Sequence, residues 1–192
     1  MDQIRPAASR VSVTAVAVML AVAGAIASPQ LSRDEALALV YPGATISSER
    51  LFLTAEQVNA VAARSGTQIT TPLIARYTAR HGASVIGRAY IDTHTVRTKK
   101  ESLLISLDTE GRIRRVDVVA FLEPLEYQAP APFLGQFIGR RLEDDVRLNR
   151  AIRPIAGATL TANAVTDAIR RVLAIDAVLM AADARRLHES PR

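Results

Sequence analysis

The 192-residue chain predicts an α+β domain in which an antiparallel sheet of about four or more strands packs with helices. Three observations predict it. β-prone runs at residues 85–92, 103–108 and 113–121 follow one another through short connections. Two helix-start signatures precede them, and a long amphipathic helical pattern closes the chain.

Composition bounds the class. Hydrophobic residues at 49% and charged residues at 22% describe a globular chain, and the length allows one domain with a proper core. There is no cysteine, which excludes a disulfide framework, thiolate metal sites, iron–sulfur clusters and c-type haem attachment. The net charge of +5 is dispersed arginine, and 4% aromatics without tryptophan leave no stacking surface, so nucleic acid is not an expected partner.

In chain order, Arg5 and Arg10 precede an apolar run at residues 11–27, and Ala25-Ile26-Ala27 offers an A-x-A processing site. Residues 1–27 are therefore expected to be a signal peptide, with an uncleaved membrane anchor as the competing reading, and 28–192 a single extracytoplasmic domain, periplasmic in a bacterium. Ser32 with Glu35, and Thr54 with Gln57, form capping boxes. The first opens a helix through Val40 that Tyr41-Pro42-Gly43 stops, and the second a helix ending near Ser65-Gly66. Gly43-Ala44-Thr45 reads as a turn. Residues 70–80 are mixed, and His81-Gly82 marks another turn. Within the β-prone runs, Gly87 marks a bulge or a close approach of ligand. Asp108 and Gly111 supply a hairpin loop, so the last two strands should pair antiparallel. Alternation puts Val116 and Val118 on one face and Asp117, Val119 and Phe121 on the other. Pro124 then breaks the ladder after Glu123. The final helix begins near Ala162 and runs to about Leu187, with Val165, Ile169, Val172, Ile175 and Leu179 on its apolar face and Arg170 and Arg171 on a solvated one.

Just before that helix stands Ile155-Ala156-Gly157-Ala158-Thr159-Leu160-Thr161. Gly157 and Ala158 let a ligand approach the backbone, and the helix N-terminus beyond them favours an anion beside Thr159 and Thr161. A threonine N-cap after a tight turn is the plainer reading of the same residues.

Gly157-Ala158-Thr159-Leu160-Thr161 followed by Ala162-Asn163-Ala164-Val165 resembles the FMN-binding domain of the NqrC and RnfG subunits of membrane redox pumps and their small exported relatives. In that family the motif reads Asp-x-x-(Ser/Thr)-Gly-Ala-Thr, and the last Thr carries FMN through a phosphoester bond made by a flavin transferase. The resemblance implies Thr159 as the modified residue. Arg153 stands at the Asp position and Ala156 at the Ser/Thr position, so covalent attachment and noncovalent binding are both open. It further implies that Gly157, Ala158 and Leu160 shape the loop, that Thr161 and Asn163 face the phosphate, and that Glu123, Pro124 and Leu125 form the opposite wall along the isoalloxazine. Phe133 to Gly139 is similar to a Phe-x-x-x-Phe-x-Gly stretch of the family that packs a short helix or turn on the sheet.

Other chemistry is sparse. His81, His94 and His188 lack metal-ligand spacing, Glu143-Asp144-Asp145 reads as a solvated acidic loop, and no metal is expected. No nucleophile elbow, P-loop or dinucleotide fingerprint occurs, and no catalytic residue is assigned. The basic stretch at residues 92–100 could touch a flavin, a partner or nothing. The expectation is an FMN electron-transfer protein served by a membrane electron-transfer partner and a flavin transferase. A flavin-free scaffold of the same fold and a flavin reductase of a soluble substrate are its rivals.

Overall fold

The computed structural model describes residues 31–142 and 145–189. The elements run α1 (Arg33–Val40), β1 (Thr45–Phe52), α2 (Ala55–Ser65), β2 (Leu73–His81), β3 (Ser84–Thr95), β4 (Lys100–Leu107), β5 (Ile113–Phe121), α3 (Ala131–Gly135) and α4 (Thr159–Glu189). The five strands form one antiparallel sheet in sequence order, which is the expected α+β class. Residues 1–27, and with them the signal or anchor, lie outside the described residues, as do Glu143 and Asp144. No helix among the described residues is long and apolar enough to cross a membrane.

Both capping boxes are formed. The Ser32 and Thr54 hydroxyls accept from the Glu35 and Gln57 N–H groups, the partner side chains reach back, and α2 ends on Gly66 at φ +72°. The sheet is covered unequally. On one face α2 and α4 build the main core with Tyr90, Leu103, Ile105 and Leu107. On the other, α1 alone covers Tyr77, Ala79, Ala89 and Leu104 with Ala36, Leu37, Val40 and Tyr41. The Phe133–Gly139 stretch packs as expected: α3 lies against β5, Phe133 and Phe137 meet edge-on at 5.5 Å, and the Gly139 N–H donates to the Ile113 carbonyl.

Four details bear on the sequence reading, and one of them, the bulge beside Gly87, is as expected. β1 went unread because Thr-Ile-Ser-Ser-Glu-Arg-Leu-Phe does not alternate cleanly and is mostly exposed on both faces. Backbone pairing to β2 holds it as an edge strand. A bulge beside Gly87 slips the β2–β3 register, and an added Cβ there would stand 2.4 Å from Tyr41 and 2.5 Å from the Leu107 carbonyl. The close approach is therefore by Tyr41, whose hydroxyl is buried against the carbonyls of Arg88 and Leu107. A second irregularity, at Val119, shifts β5 so that Phe121 comes opposite Glu101 and the simple alternation of faces fails.

The fourth concerns α4. Arg170 and Arg171 are not solvated. Arg170 is 1% exposed and donates to the carbonyls of Ser65, at the end of α2, and Val146. Arg171 reaches Asp92 of β3 through two hydrogen bonds of 2.7 and 2.8 Å. Further along the helix, Asp176 takes Arg88 and the Tyr90 hydroxyl, and Asp183 takes Arg76. The helix thus carries polar groups on its sheet-facing side and is tied to β2 and β3 by ion pairs.

Candidate functional site

The loop singled out in the sequence folds as a turn that delivers the chain into α4. The Ala158 N–H donates to the Ile155 carbonyl, and Gly157, at the third position of the turn, has φ +76°, the type II geometry that favours glycine. A Cβ on Gly157 would meet nothing within 4 Å, so the space above it is open. Ala158 behaves differently from the expectation. It is buried, and its carbonyl accepts from the Ala162 N–H, so it shapes the turn instead of lining a ligand surface.

Helix α4 begins at Thr159, three residues earlier than predicted. The sequence reading looked for a hydroxyl cap, whereas the residue before the helix is Ala158, which has none. Among the described residues nothing accepts from the N–H groups of Thr159, Leu160 or Thr161, and no acidic residue stands in the first turn. With Thr161 buried, this leaves the donors of Thr159 and Leu160 and the positive end of a 31-residue dipole at the surface beside the exposed Thr159 hydroxyl. Asn163, four residues on, lies on the same exposed stripe as Thr159.

Thr161 is a correction. Its side chain is buried and its hydroxyl donates to the Tyr127 carbonyl at 2.6 Å, so it does not face an anion. That bond has a different consequence: it joins the start of α4 to the segment carrying Glu123, Pro124 and Leu125, whose chain continues into a 3-10 turn at Leu125–Tyr127. The two stretches the sequence singled out are thereby brought together through Tyr127, which the sequence did not mark.

Within that segment Glu123 also differs from its expected role. Its Oε1 accepts from the N–H groups of Thr98 and Lys99 at 2.7 and 2.8 Å and from the Thr98 hydroxyl at 3.2 Å. These donors hold its carboxyl below the usual carboxylate range. Glu123 is an anchor for the β3–β4 turn, while Pro124 and Leu125 are exposed and free to form a wall. The Arg97 guanidinium lies 4.5 Å from the Tyr127 ring centroid, so the basic stretch left open in the sequence is placed at this site. Leu122, Leu125 and Leu160 are each more than half exposed, an apolar fringe on both joined segments.

On the approach to the turn, Pro130, Pro132 and Phe133 face Arg153, Pro154 and Ile155 across an open cleft of about 420 Å³. The Gln136 amide brackets the Arg153 backbone, donating to its carbonyl and accepting its N–H. Arg153 therefore serves this loop through its main chain, and its side chain is exposed.

No described group of three or more histidine, cysteine, aspartate or glutamate side chains is arranged to hold a metal ion. Comparison with known protein families and with curated proteins finds no match.

Proposed function

We propose that the protein is an exported FMN-binding electron-transfer module that holds the flavin phosphate at Thr159. The observation that carries this reading is the exposed Thr159 hydroxyl at the first position of a long helix, beside free N–H donors and an open Gly157. The motif resemblance adds the identity of the cofactor.

The residues present fit an FMN phosphate. The Thr159 hydroxyl is a point for a phosphoester or a hydrogen bond. The N–H groups of Thr159 and Leu160 would balance the phosphate charge, and Asn163 offers an amide on the same stripe. Gly157, without a Cβ, leaves the approach clear. Pro124, Leu125 and Leu160 supply apolar surface for a planar ring, and Glu123 keeps their segment in place through the β3–β4 turn. FMN, when bound, supplies the one- and two-electron chemistry, and the chain supplies position and local polarity. A membrane electron donor and a flavin transferase are the partners this reading requires. The motif resemblance is to subunits that relay electrons, so a relay is preferred to a reductase.

The test is the intact mass of the exported protein co-produced with a flavin transferase, beside Thr159→Ala. An FMN-sized increment that disappears in the variant is the expected result. Yellow colour released by denaturation, without added mass, would mean noncovalent binding and point to Arg153 and Ala156 as the cause. A colourless protein of unmodified mass would overturn the proposal in favour of the flavin-free scaffold.

A further inference from the structure

A buried charge cluster lies under α4, outside the residues discussed for the flavin. His94 is near the end of β3, with Nδ1 3.0 Å from Asp92 Oδ1 and Nε2 3.0 Å from Glu101 Oε2. Its side chain is 10% exposed, that of Asp92 9% and that of Glu101 0%. A neutral imidazole has one N–H and one lone pair, so one of its nitrogens would oppose a carboxylate lone pair to lone pair. Only the imidazolium donates to both. The charges agree with this. Asp92 is matched by Arg171 of α4, so Glu101 depends on His94 for its counter-charge, and its second oxygen, Oε1, has no partner among the described residues. Asp167 of α4 adds a further negative field at His94, and among the described residues Arg171 is the cation packed into the cluster.

The cluster sits where its loss would be felt. His94 and Glu101 face each other across the β3–β4 pair, one pair before its last rung, Thr95 and Lys100. The turn beyond, closed by a Val96 N–H to Lys99 carbonyl bond, presents the Thr98 and Lys99 N–H groups to Glu123.

We propose that doubly protonated His94 is a clamp that fixes the turn end of the β3–β4 hairpin, and that losing its proton as pH rises releases the turn from Glu123. This goes beyond the flavin reading and does not depend on it. Deprotonation leaves Glu101 buried without a counter-charge, an arrangement relieved by opening the hairpin end to water. The device is closed while His94 holds both protons and opens as pH rises through its raised value.

The test is nitrogen NMR of the exported protein through a pH titration. Both His94 ring nitrogens should show imidazolium shifts at pH 7, and the Thr98 and Lys99 amide signals should move with the same midpoint as the ring, above the ordinary imidazole value. A second measurement uses Glu101→Gln, which keeps the ring and one carboxylate and should lower the shared midpoint. A neutral His94 tautomer at pH 7, or amides indifferent to the His94 midpoint, would overturn the proposal. The wild-type titration decides it even if the variant fails to fold.

Discussion

Two glycines show how residue-scale reasoning separates similar letters. Gly87 and Gly157 both sit at positions the sequence marked for close approach, yet their surroundings differ. An alanine methyl at Gly87 meets a tyrosine ring and a backbone carbonyl at distances no real Cβ adopts, and the carbonyl cannot yield without breaking the sheet. Gly87→Ala should cost roughly 3 kcal/mol, the upper range for overpacking. At Gly157 the space is open and only the positive φ is at stake. Gly157→Ala should cost about 1 kcal/mol, the ordinary left-handed penalty. Urea unfolding of the two variants checks the order, and equal losses would contradict it. That both positions needed glycine was legible in the sequence. What each glycine accommodates was not, because the contacting atoms lie up to 46 positions away, on Tyr41 for Gly87, or are absent.

At the scale of elements, α4 joins the layers. Its apolar stripe was read correctly from spacing, since Val165, Ile169, Val172, Ile175 and Leu179 are all buried. Its charged residues were misassigned because periodicity does not report what the opposing surface offers. Asp176 is buried with Arg88 at 2.6 Å and with the Tyr90 hydroxyl, whereas the Asp183 side chain is 33% exposed beside Arg76. Asp176→Asn, which leaves Arg88 buried without its counter-ion, should destabilise by about 3–5 kcal/mol. Asp183→Asn should cost less than about 1 kcal/mol, because solvent screens the pair. Thermal or urea unfolding distinguishes them, and comparable losses would mean that burial does not govern these pairs.

For the whole molecule, the same buried charges set the pH range of stability. At His94 burial alone would lower the pKa, but the hydrogen bonds to Asp92 and Glu101 outweigh it and raise the group above 6.5. The folded state holds that proton more tightly, so its contribution is complete below about 6.5. It is lost as pH rises through the folded value. At Asp92 burial is likewise outweighed, here by His94 and Arg171, and the carboxyl is lowered. Its contribution is present above about 3.9, the unfolded value, and is lost as pH falls through the folded one. Asp117, raised by burial, acts in the opposite sense and blunts the acid limb. The melting temperature should therefore decline as pH rises above about 6.5 in the wild type, and His94→Gln should flatten that limb. A limb of unchanged slope in the variant would place the titrating group elsewhere.

The sequence by itself determined the α+β class, both capped helices and the last three strands. Each of these depends on local chemistry: a cap hydroxyl, a turn glycine, a period of two or of 3.6. The motif resemblance, not local chemistry, set Thr159 opposite the Glu123–Leu125 segment. Tertiary structure decided the rest. β1 exists because β2 offers it an edge, and α4 starts at Thr159 because the turn at Gly157 ends one residue before. Thr161 turns inward because the Tyr127 carbonyl needs a donor, Arg170 and Arg171 are interior because partners far along the chain balance their polar groups, and His94 and Glu101 are interior because the β3–β4 register sets them opposite each other. The physical reason is the same in each case. Local propensity depends on neighbours in sequence, while the burial of a polar group is tolerated only where the fold supplies its partner.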